Sequence, residues 1–477
     1  MRFSVVVLII ASIFGSSRLS AQNSPALDWQ YQYAADLSQS GTDVCVMNDG
    51  NLAVAGWTLV DRGTYQDHDG LILILSPGGQ LIQAHTYGRT AENEDEQFFG
   101  IAPKNDGGLV AAGIQKWQLP NNGPWQYDYY AVATDSSGNQ TATNHFDYGH
   151  ANDQCWRVAA LTNGNFILAG HGYGQANDQH PYVIVVGPSV NFAGSFSFDL
   201  YAGSLHAVCA TSDGGFIAVG QGQVAGSWDA LDLKCDANAY FQNYWTFGQS
   251  DHLEIGYAVI EQTDGYLMAA QRDGLLWLIK IDLAGNQQWE YSSLEMTPTA
   301  MVAAPDGGFT IAGMNNSGYL LMRFNADHTL RWSQNYGPIA ATGCSSLTRL
   351  ADGSYILVGT LDDNVLVLKT RPEELSASNS RLTVERNFSL QPGFPNPFNS
   401  STEIRFNLPG ATVVSLKIYD ILGQEVKVLE QGFLSGGSYS RIWDGTDRRG
   451  LINPTGVYLI RLQTPQTTFV QKAVLLK

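Results

Sequence analysis

Aromatic side chains gather in one short segment, residues 116–130, beside amide and carboxylate groups. Trp117, Trp125 and Tyr127 are the rings assigned to a binding site. Flat rings next to polar groups suit sugar binding, because a pyranose face stacks on a ring while the polar groups bond its hydroxyls. The segment therefore predicts a ligand-binding loop, although the same rings would also serve to pack the loop onto its own scaffold.

Carboxylates are the second group of candidates. Asp95, Glu96 and Asp153 are assigned to the same site, and further acids occupy comparable segments: Glu92, Glu94, Asp251 and Glu254. Grouped carboxylates suit Ca²⁺, which takes about six to eight oxygen ligands. Because no Asp-x-Asp-x-Asp-Gly loop is present, we expect a solvated acidic rim with no bound metal and no cofactor.

No catalytic residue is assigned. The sequence has no Gly-x-Ser-x-Gly, no His-Glu-x-x-His and no Gly-rich phosphate loop. Asp69, Asp128, Asp229 and Asp363 recur at one position before apolar runs, which is typical of a residue at the start of a strand. Paired carboxylates for glycoside cleavage come from distant segments and leave no local spacing, so that chemistry stays open.

The elements that must position these residues repeat along the chain. An apolar run, an Asp-Gly-type turn and a second apolar run recur seven times, with turn glycines Gly50, Gly107, Gly164, Gly214, Gly265, Gly307 and Gly353. Spacings of 42 to 57 residues are typical of a propeller or solenoid. Each copy indicates four antiparallel strands, the first two joined by a two-residue turn, and this predicts a seven-bladed β-propeller.

The N-terminal segment supplies a strand that the seventh copy lacks. Trp29 precedes Gly50 by 21 residues, as Trp332 precedes Gly353. We therefore expect the N-terminal strand to complete the last blade and close the ring, which leaves no open sheet edge. The long connections, between strands two and three and from blade to blade, then share one face around the channel mouth. Recognition is expected on that face.

Composition limits the classes of partner. The chain has 477 residues and a formal net charge of −18, so it would repel phosphate backbones, and nucleic-acid binding is disfavoured. Residues 1–21 have the features of a signal peptide, since the apolar run in residues 5–14 is too short to span a bilayer. No later stretch is long and apolar enough to be a transmembrane segment, so an exported protein is expected.

The composition changes after residue 370. The polar segment 371–387 predicts a linker between a propeller domain, residues 22–370, and a C-terminal all-β module, residues 388–477. The motif residues of this module are Pro395, Asn396, Pro397, Phe398, Gly423, Trp443, Asp444, Gly445, Gly456 and Tyr458. On these motifs the module resembles the type A C-terminal sorting domain of the type IX secretion system, which is found in Bacteroidetes and their relatives.

The resemblance implies a small immunoglobulin-like β-sandwich and export in two steps. The signal peptide would direct the chain through the inner membrane, and the type IX secretion machinery would then carry it from the periplasm across the outer membrane. In the family the domain is typically removed, and the cargo is released or attached to the cell surface.

These features together favour an exported protein, secreted or held at the outer cell surface, whose all-β propeller binds a glycan or a protein without catalysis. Two alternatives stay open. One is a polysaccharide-active enzyme, a hydrolase or lyase, with its site at the channel mouth. The other is a structural component of a surface layer.

Overall fold

The computed structural model describes most of the chain in fourteen stretches. These are residues 24–88, 94–118, 125–148, 152–173, 178–249, 252–293, 296–337, 341–373, 389–390, 393, 395–408, 412–434, 437–465 and 467–476. All regular structure in these stretches is β-strand, and none of it is a helix that could cross a membrane. The chain divides into two compact units, Met1–Glu374 and Leu375–Lys477, which are described separately. The predicted signal peptide lies outside the described residues.

Seven four-stranded antiparallel sheets, blades 1 to 7, make up the first unit. Blades 1 to 3 contain β2 (Gln39–Val46), β3 (Leu52–Asp61), β4 (Gln66–Leu75), β5 (Leu81–Tyr87); β6 (Glu96–Pro103), β7 (Leu109–Gln118), β8 (Trp125–Thr134), β9 (Gln140–Phe146); and β10 (Gln154–Ala160), β11 (Phe166–Tyr173), β12 (Gln179–Val186), β13 (Phe192–Ser197). The predicted all-β, seven-bladed propeller is confirmed.

Blades 4 to 7 continue the same order. They contain β14 (Gly203–Ala210), β15 (Phe216–Val224), β16 (Ser227–Cys235), β17 (Phe241–Phe247); β18 (Glu254–Gln262), β19 (Gly265–Arg272), β20 (Leu275–Asp282), β21 (Gln287–Ser293); β22 (Thr297–Ala303), β23 (Phe309–Asn315), β24 (Gly318–Phe324), β25 (Leu330–Tyr336); and β26 (Ala341–Arg349), β27 (Tyr355–Leu361), β28 (Asn364–Thr370) with β1 (Leu27–Tyr33). The first strands of neighbouring blades contact one another, so they surround the central channel.

The N-terminal strand closes the ring, as the tryptophan spacing predicts. Strand β1 pairs antiparallel with β28, with Trp29 opposite Lys369 and Tyr33 opposite Val365. The backbone N–H of Arg371 donates to the carbonyl oxygen of Ala26 at 2.7 Å, which extends the pairing beyond the strands. Two segments more than three hundred residues apart therefore form one sheet, and neither edge of the array stays open.

The Asp-Gly turns differ from the predicted two-residue form in six of the seven blades. In blade 1 the N–H of Gly50 donates to the carbonyl of Met47, and the N–H of Met47 donates to the carbonyl of Asn51. The glycine, at φ 85°, takes the left-handed position that closes this longer turn. Only in blade 5, where Gln262 pairs directly with Gly265, does the turn have two residues. The longer turn gives the aspartate side chain room to bond the backbone.

The turn aspartates also pair with buried cations, a role that sequence reasoning did not assign. Each pair joins a turn to the third strand of its own blade: Lys234 to Asp213 at 2.8 Å, Lys280 to Asp264 at 2.7 Å, Arg323 to Asp306 at 2.6 Å and Lys369 to Asp352 at 3.9 Å. A buried cation requires a nearby anion, because desolvation otherwise costs several kcal/mol. The repeated aspartate is therefore a charge partner as well as a turn residue.

Residues 371–373 are held against the propeller, although the sequence places them in the linker. Glu373 is 2% exposed, and it pairs with the buried Arg323 at 3.3 Å. It also accepts hydrogen bonds from Trp332 Nε1 at 3.1 Å and from the hydroxyl of Tyr355 at 3.2 Å. The polar composition of this segment predicted exposed side chains. Glu373 is nevertheless buried, because its partners are distant in sequence. The rest of the expected linker lies outside the described residues.

One acidic side chain lies in the core without such a partner. Asp232 on β16 is 1% exposed, and its Oδ1 has no hydrogen-bond partner among the described residues. The corresponding third-strand position holds Ile72, Val183 and Leu278 in other blades. Burial raises the pKa of Asp232 to about 8, so the carboxyl group is protonated at neutral pH.

The second unit is a β-sandwich. One sheet has the order β29 (Ser389–Leu390), β30 (Thr402–Leu408), β33 (Gly437–Trp443), and the other has the order β32 (Glu425–Leu434), β31 (Thr412–Tyr419), β34 (Gly456–Gln463), β35 (Thr468–Leu475). Ile404 and Phe406 from the first sheet pack in one core with Leu416 and Ile460 from the second. Two sheets that share a core in this way form the small sandwich expected for this region.

Replacing Glu373 by alanine should lower the free energy of unfolding by about 3–5 kcal/mol, because it leaves Arg323 buried with half of its anionic partners removed. Asp28→Ala is the matched control, since this exposed carboxylate on β1 should change stability by less than about 0.5 kcal/mol. Equilibrium denaturation followed by tryptophan fluorescence measures both. Equal effects of the two substitutions would contradict a structural role for Glu373.

Replacing Asp232 by valine should stabilise the protein, and the gain should grow as the pH rises from 5 to 8. A carboxyl group whose folded pKa is raised contributes stability at low pH that is lost as the pH rises through that pKa, at about 1.4 kcal/mol per unit. The wild type therefore weakens over this range, and the variant lacks that component. Urea denaturation at each pH measures it, and parallel curves for the two proteins would refute the assignment.

Candidate functional site

Every first strand of the propeller contains a β-bulge. The pairing of each with its second strand skips a residue at one equivalent position, and these seven residues are Thr42, Phe99, Trp156, His206, Tyr257, Thr299 and Ser345. The first strand of blade 7 also skips Gly343. A bulge turns its extra residue out of the regular alternation and re-aims the side chain. Because the first strands surround the channel, the seven bulges place one side chain from each blade around a common axis.

These seven side chains line one cavity of about 350 Å³. Its remaining lining residues are Ser40, Trp57, Arg157 and Cys344. Ser40 is near the start of β2 and Trp57 is near the end of β3, so the cavity lies toward the face that carries the long connections. None of the described residues that line it is a carboxylate. The volume is at the small end of ligand pockets, which span about 300–1,000 Å³.

The cavity wall has an aromatic part and a hydroxyl part. Blades 2 to 5 supply rings: Phe99 lies 5.0 Å from Trp156 between ring centroids, and His206 lies 5.6 Å from Tyr257. Blade 1 adds the ring of Trp57. The hydroxyl groups of Thr299, Ser345 and Thr42 come from blades 6, 7 and 1; each donates to a main-chain carbonyl oxygen, so it can accept a hydrogen bond from a ligand. Rings and hydrogen-bonding groups in one wall are the two components that ring-shaped polar ligands require.

Arg157 reaches across the channel. Its Nη1 donates to the carbonyl oxygens of Phe99 at 3.0 Å and Trp156 at 3.2 Å, and its Nη2 donates to the carbonyl oxygen of Ser345 at 2.9 Å. The side chain thus connects blades 2, 3 and 7. Gly100 permits the approach of blades 2 and 3, since a Cβ there would lie 2.6 Å from the backbone nitrogen of Val158.

The two histidines near the cavity are uncharged at neutral pH. Burial, followed by the nearby charge of Arg157, lowers the pKa of His206 to about 4. Burial, followed by the charge of His206, lowers the pKa of His171 to about 4 as well. Trp156 Nε1 lies 3.4 Å from His171 Nδ1, so the neutral His171 ring can accept this weak bond and hold the tryptophan in place.

Among the rings predicted for the site, Trp125 and Tyr127 occupy the β7–β8 hairpin of blade 2. Trp125 is 38% exposed, and Lys116 Nζ lies 5.5 Å from its ring centroid. The carbonyl oxygen of Tyr127 accepts a hydrogen bond from the N–H of Asp153, just before blade 3, at 2.7 Å. Trp117 pairs with Gln126 in the hairpin through its backbone. Trp125 and Tyr127 are not among the described residues that line the cavity.

Asp95 connects this hairpin to the cavity through a chain of contacts. The backbone N–H of His68 donates to Asp95 Oδ1 at 3.0 Å, and Lys116 Nζ lies 3.6 Å from Oδ2. The ring of His68 packs edge-on against Trp57, a cavity residue, at 4.8 Å. Partial burial opposes ionisation of Asp95, but its bonds from His68 and the charge of Lys116 lower its pKa overall.

Glu96 has a structural position. It is fully buried at the start of β6, and Gln115 Nε2 donates to its Oε1 at 2.7 Å. Asp153 is also fully buried, and it accepts backbone hydrogen bonds from Tyr148 at 2.5 Å and Tyr173 at 2.8 Å. Burial, partly offset by those bonds, raises the pKa of Asp153 to about 7. Neither acid lines the cavity.

Asp153 belongs to a group of three carboxylates. One oxygen each from Asp128, Asp147 and Asp153 lies within 4.8 Å of the others. Elsewhere on the same face Arg62 pairs with two acids on β4, and Arg272 pairs with the acid that begins β18. Three convergent carboxylates could hold a cation, but such groups also occur without one. The metal-free rim therefore stays a prediction.

In the second unit the motif residues have mostly structural positions. Phe398, Trp443 and Tyr458 are buried together, with Trp443 5.3 Å from Phe398 and 5.0 Å from Tyr458 between ring centroids. Asp444 accepts from Lys427 Nζ at 2.7 Å, and this bond, together with that from Thr446, lowers its pKa. The other motif positions are in turns or at strand ends: Pro395, Asn396, Pro397, Gly423, Gly445 and Gly456.

Sequence reasoning missed the channel ring, although a signal for it exists. Each of the seven bulged residues lies eight positions before the turn glycine of its blade, as in Thr42 before Gly50 and Trp156 before Gly164. A position that repeats in register but varies between threonine, tryptophan and histidine is unlike a core position. That contrast could have marked it as facing a common space.

Known proteins are similar to both parts of the chain. The FlgD Ig-like domain family matches residues 397–467. No curated protein matches the chain.

Among solved structures, PorZ, described as an essential surface component of the type-IX secretion system of Porphyromonas gingivalis, is 13% identical over 90% of this chain and 69% of its own, with TM-score 0.37. The RRP9 WD40 repeats are 11% identical over 73% and 100%, with TM-score 0.47. A Dyadobacter fermentans protein of unknown function is 10% identical over 72% and 99%, with TM-score 0.46. The chain is a seven-bladed β-propeller followed by an immunoglobulin-like domain.

Proposed function

We propose that the propeller binds a carbohydrate, without transforming it, in the cavity at the channel mouth. The observation that carries this proposal is the ring of bulged residues, which places the rings of Phe99, Trp156 and Tyr257 and the hydroxyls of Thr42 and Thr299 around one cavity. A sugar ring offers apolar C–H faces to the first group and hydroxyls to the second. Seven separate bulges that direct side chains into one space are typical of a functional site.

The blade 2 hairpin serves as an outer part of the same binding surface. Trp125 is exposed there, and Lys116 and Asp95 connect it through His68 to Trp57 in the cavity wall. A glycan that extends from the cavity would meet this hairpin next. In this arrangement Trp125 and Tyr127 provide stacking surface, whereas Glu96 and Asp153 support the hairpin from below.

The lining of the cavity favours binding over the hydrolase alternative. Glycoside hydrolysis ordinarily needs two carboxyl groups about 5–10 Å apart on either side of the bond that breaks. The described residues around the cavity are aromatic, hydroxyl, thiol, imidazole and guanidinium groups. Asp95 and Asp153, which contact the hairpin through Lys116 and Tyr127, have oxygens engaged by neighbouring N–H groups.

Replacing Trp156 by alanine should weaken glycan binding at least about tenfold, because a central buried ring carries a large part of the energy of such a contact. Trp125→Ala should have a smaller effect, since that ring is on the periphery. Binding of the chain from Gln22 onward to a glycan array, followed by calorimetry on the best ligand, measures this.

Tyr240→Ala is the matched control, because this aromatic side chain is 71% exposed in a tight turn on the opposite face. Its binding should equal that of the wild type. A wild-type protein that binds no glycan on the array, but that retains a protein partner in a pull-down, would contradict the carbohydrate proposal.

We further propose that the chain is exported and that residues 388–477 act as a type IX sorting domain. The supporting observations are the sequence motifs and their place in a folded immunoglobulin-like unit, where Trp443 is packed between Phe398 and Tyr458. The machinery would then be a partner of this unit, and the propeller would reach the outer surface or the medium.

Deleting residues 388–477 should keep the propeller in the periplasm of a host that has type IX secretion, while the full chain reaches the surface or the medium. Cell fractionation with an antibody against the propeller measures the distribution. The reverse experiment fuses a signal peptide and residues 371–477 to a periplasmic reporter, and this fusion should carry the reporter outward. Surface exposure of the truncated chain would refute the assignment.

A further inference from the structure

Arg157 keeps hydrogen-bonding capacity in the cavity. A guanidinium group has five N–H donors, and three of them bond to the carbonyl oxygens of Phe99, Trp156 and Ser345. Two donors are left, the Nε–H and one N–H on Nη2. Among the residues that the structure describes, neither has a partner. Arg157 is therefore fixed in position by main-chain oxygens while part of its donor fork stays available to a ligand.

Arg157 also differs from the buried cations of the propeller in its bonding partners. Lys234, Lys280 and Arg323 each pair with a turn aspartate, whereas no carboxylate within the described stretches forms an ion pair with Arg157. The acid at the equivalent strand position of blade 1, Asp43, accepts bonds from Ser346 Oγ and from the N–H of Ile101. A partly buried cation that bonds only neutral oxygens is a favourable place for an anionic group.

His206 provides a second unsatisfied group in the same wall. Its Nε2 is inaccessible to solvent and has no hydrogen-bond partner among the described residues. The ring lines the cavity together with Tyr257 and Arg157. A buried polar atom without a partner costs about 1–3 kcal/mol, but this atom is closed to a ligand, so His206 contributes the face of its ring to the cavity and no hydrogen bond.

We propose that the cavity selects a sugar that carries one carboxylate, a uronic acid residue. This inference rests on the carbohydrate function proposed above and specifies its ligand. The carboxylate binds the free N–H donors of Arg157, and the sugar ring stacks on Trp156. The volume of about 350 Å³ accommodates one such residue rather than a long oligosaccharide.

The charge of the whole chain limits this ligand to a single acidic residue. With a formal net charge of −18, the protein repels a polyanion before any contact forms. One carboxylate in an otherwise neutral ligand experiences little of that repulsion at physiological salt, where charges beyond about 8 Å are screened. Free uronic acids, and glycans in which one uronate is the only charged residue, meet both conditions, and polyuronates do not.

The test is calorimetry on the full chain with methyl glucuronide and methyl galacturonide as probes, each compared with its neutral methyl glycoside. The acidic probe should bind at least about tenfold more tightly, which is the lower range for a charge-assisted hydrogen-bond pair. An oligosaccharide with one uronate and otherwise neutral residues should bind at least as well as the monosaccharide, and polygalacturonate should bind more weakly per uronate.

Arg157→Gln should remove the preference for the acidic probe and leave the affinity for the neutral glycoside within a factor of about three. Arg449→Gln is the matched control, because it makes the same change in net charge on an exposed side chain of the second unit and should leave the preference intact. Arg157→Lys keeps the charge without the fork, so it should retain only part of the preference.

The outcomes separate the two proposals. Equal binding of acidic and neutral probes by the wild-type protein overturns the uronate proposal and leaves carbohydrate binding in place. Absence of binding to every sugar overturns both. Because the comparison of probes is made first on the wild-type protein, it decides the question even if the Arg157 variants prove unstable.

Discussion

The pairing of β1 with β28 is the constraint on which the rest of the propeller depends. An open array of seven sheets would present two unpaired edges and would have no fixed axis. Closure brings the first strand of every blade around one axis, and only then do seven bulges in seven separate strands face the same space. The cavity is thus a property of the closed ring, and no single blade contains it.

The partners of the charged side chains also differ between the two ends of the blades. At the end of the blades that carries the tight turns, buried cations are matched to turn aspartates, with Lys280 and Asp264 as an example at 2.7 Å. Arg323 and Glu373 extend this pairing to the chain that leaves the last strand. In the channel, Arg157 is instead held by carbonyl oxygens from three blades. The first arrangement stabilises the fold, and the second leaves donors available.

The C-terminal unit shows how the residues of a sequence motif can be folding elements. Trp443 fills the core between Phe398 and Tyr458, and Asp444 binds Lys427 beside it. The aromatic residues of the motif are therefore needed for the core of the sandwich itself. Recognition by a partner would fall on surface positions of the unit, which vary more freely because they do not pack a core.

The sequence alone determined the repeat, the number of blades and the closing strand, because period and turn residues are local properties of the chain. The spacing of Trp29 to Gly50 predicted the ring correctly, and the apolar patterns predicted the all-β sandwich. Tertiary structure decided which side chains meet. It separated Trp125 from the cavity, buried Glu373 against Arg323, and brought Trp156 and Ser345 to one axis from residues 189 positions apart. Such contacts depend on the angle between successive blades around the channel axis, and a local sequence pattern does not predict that angle.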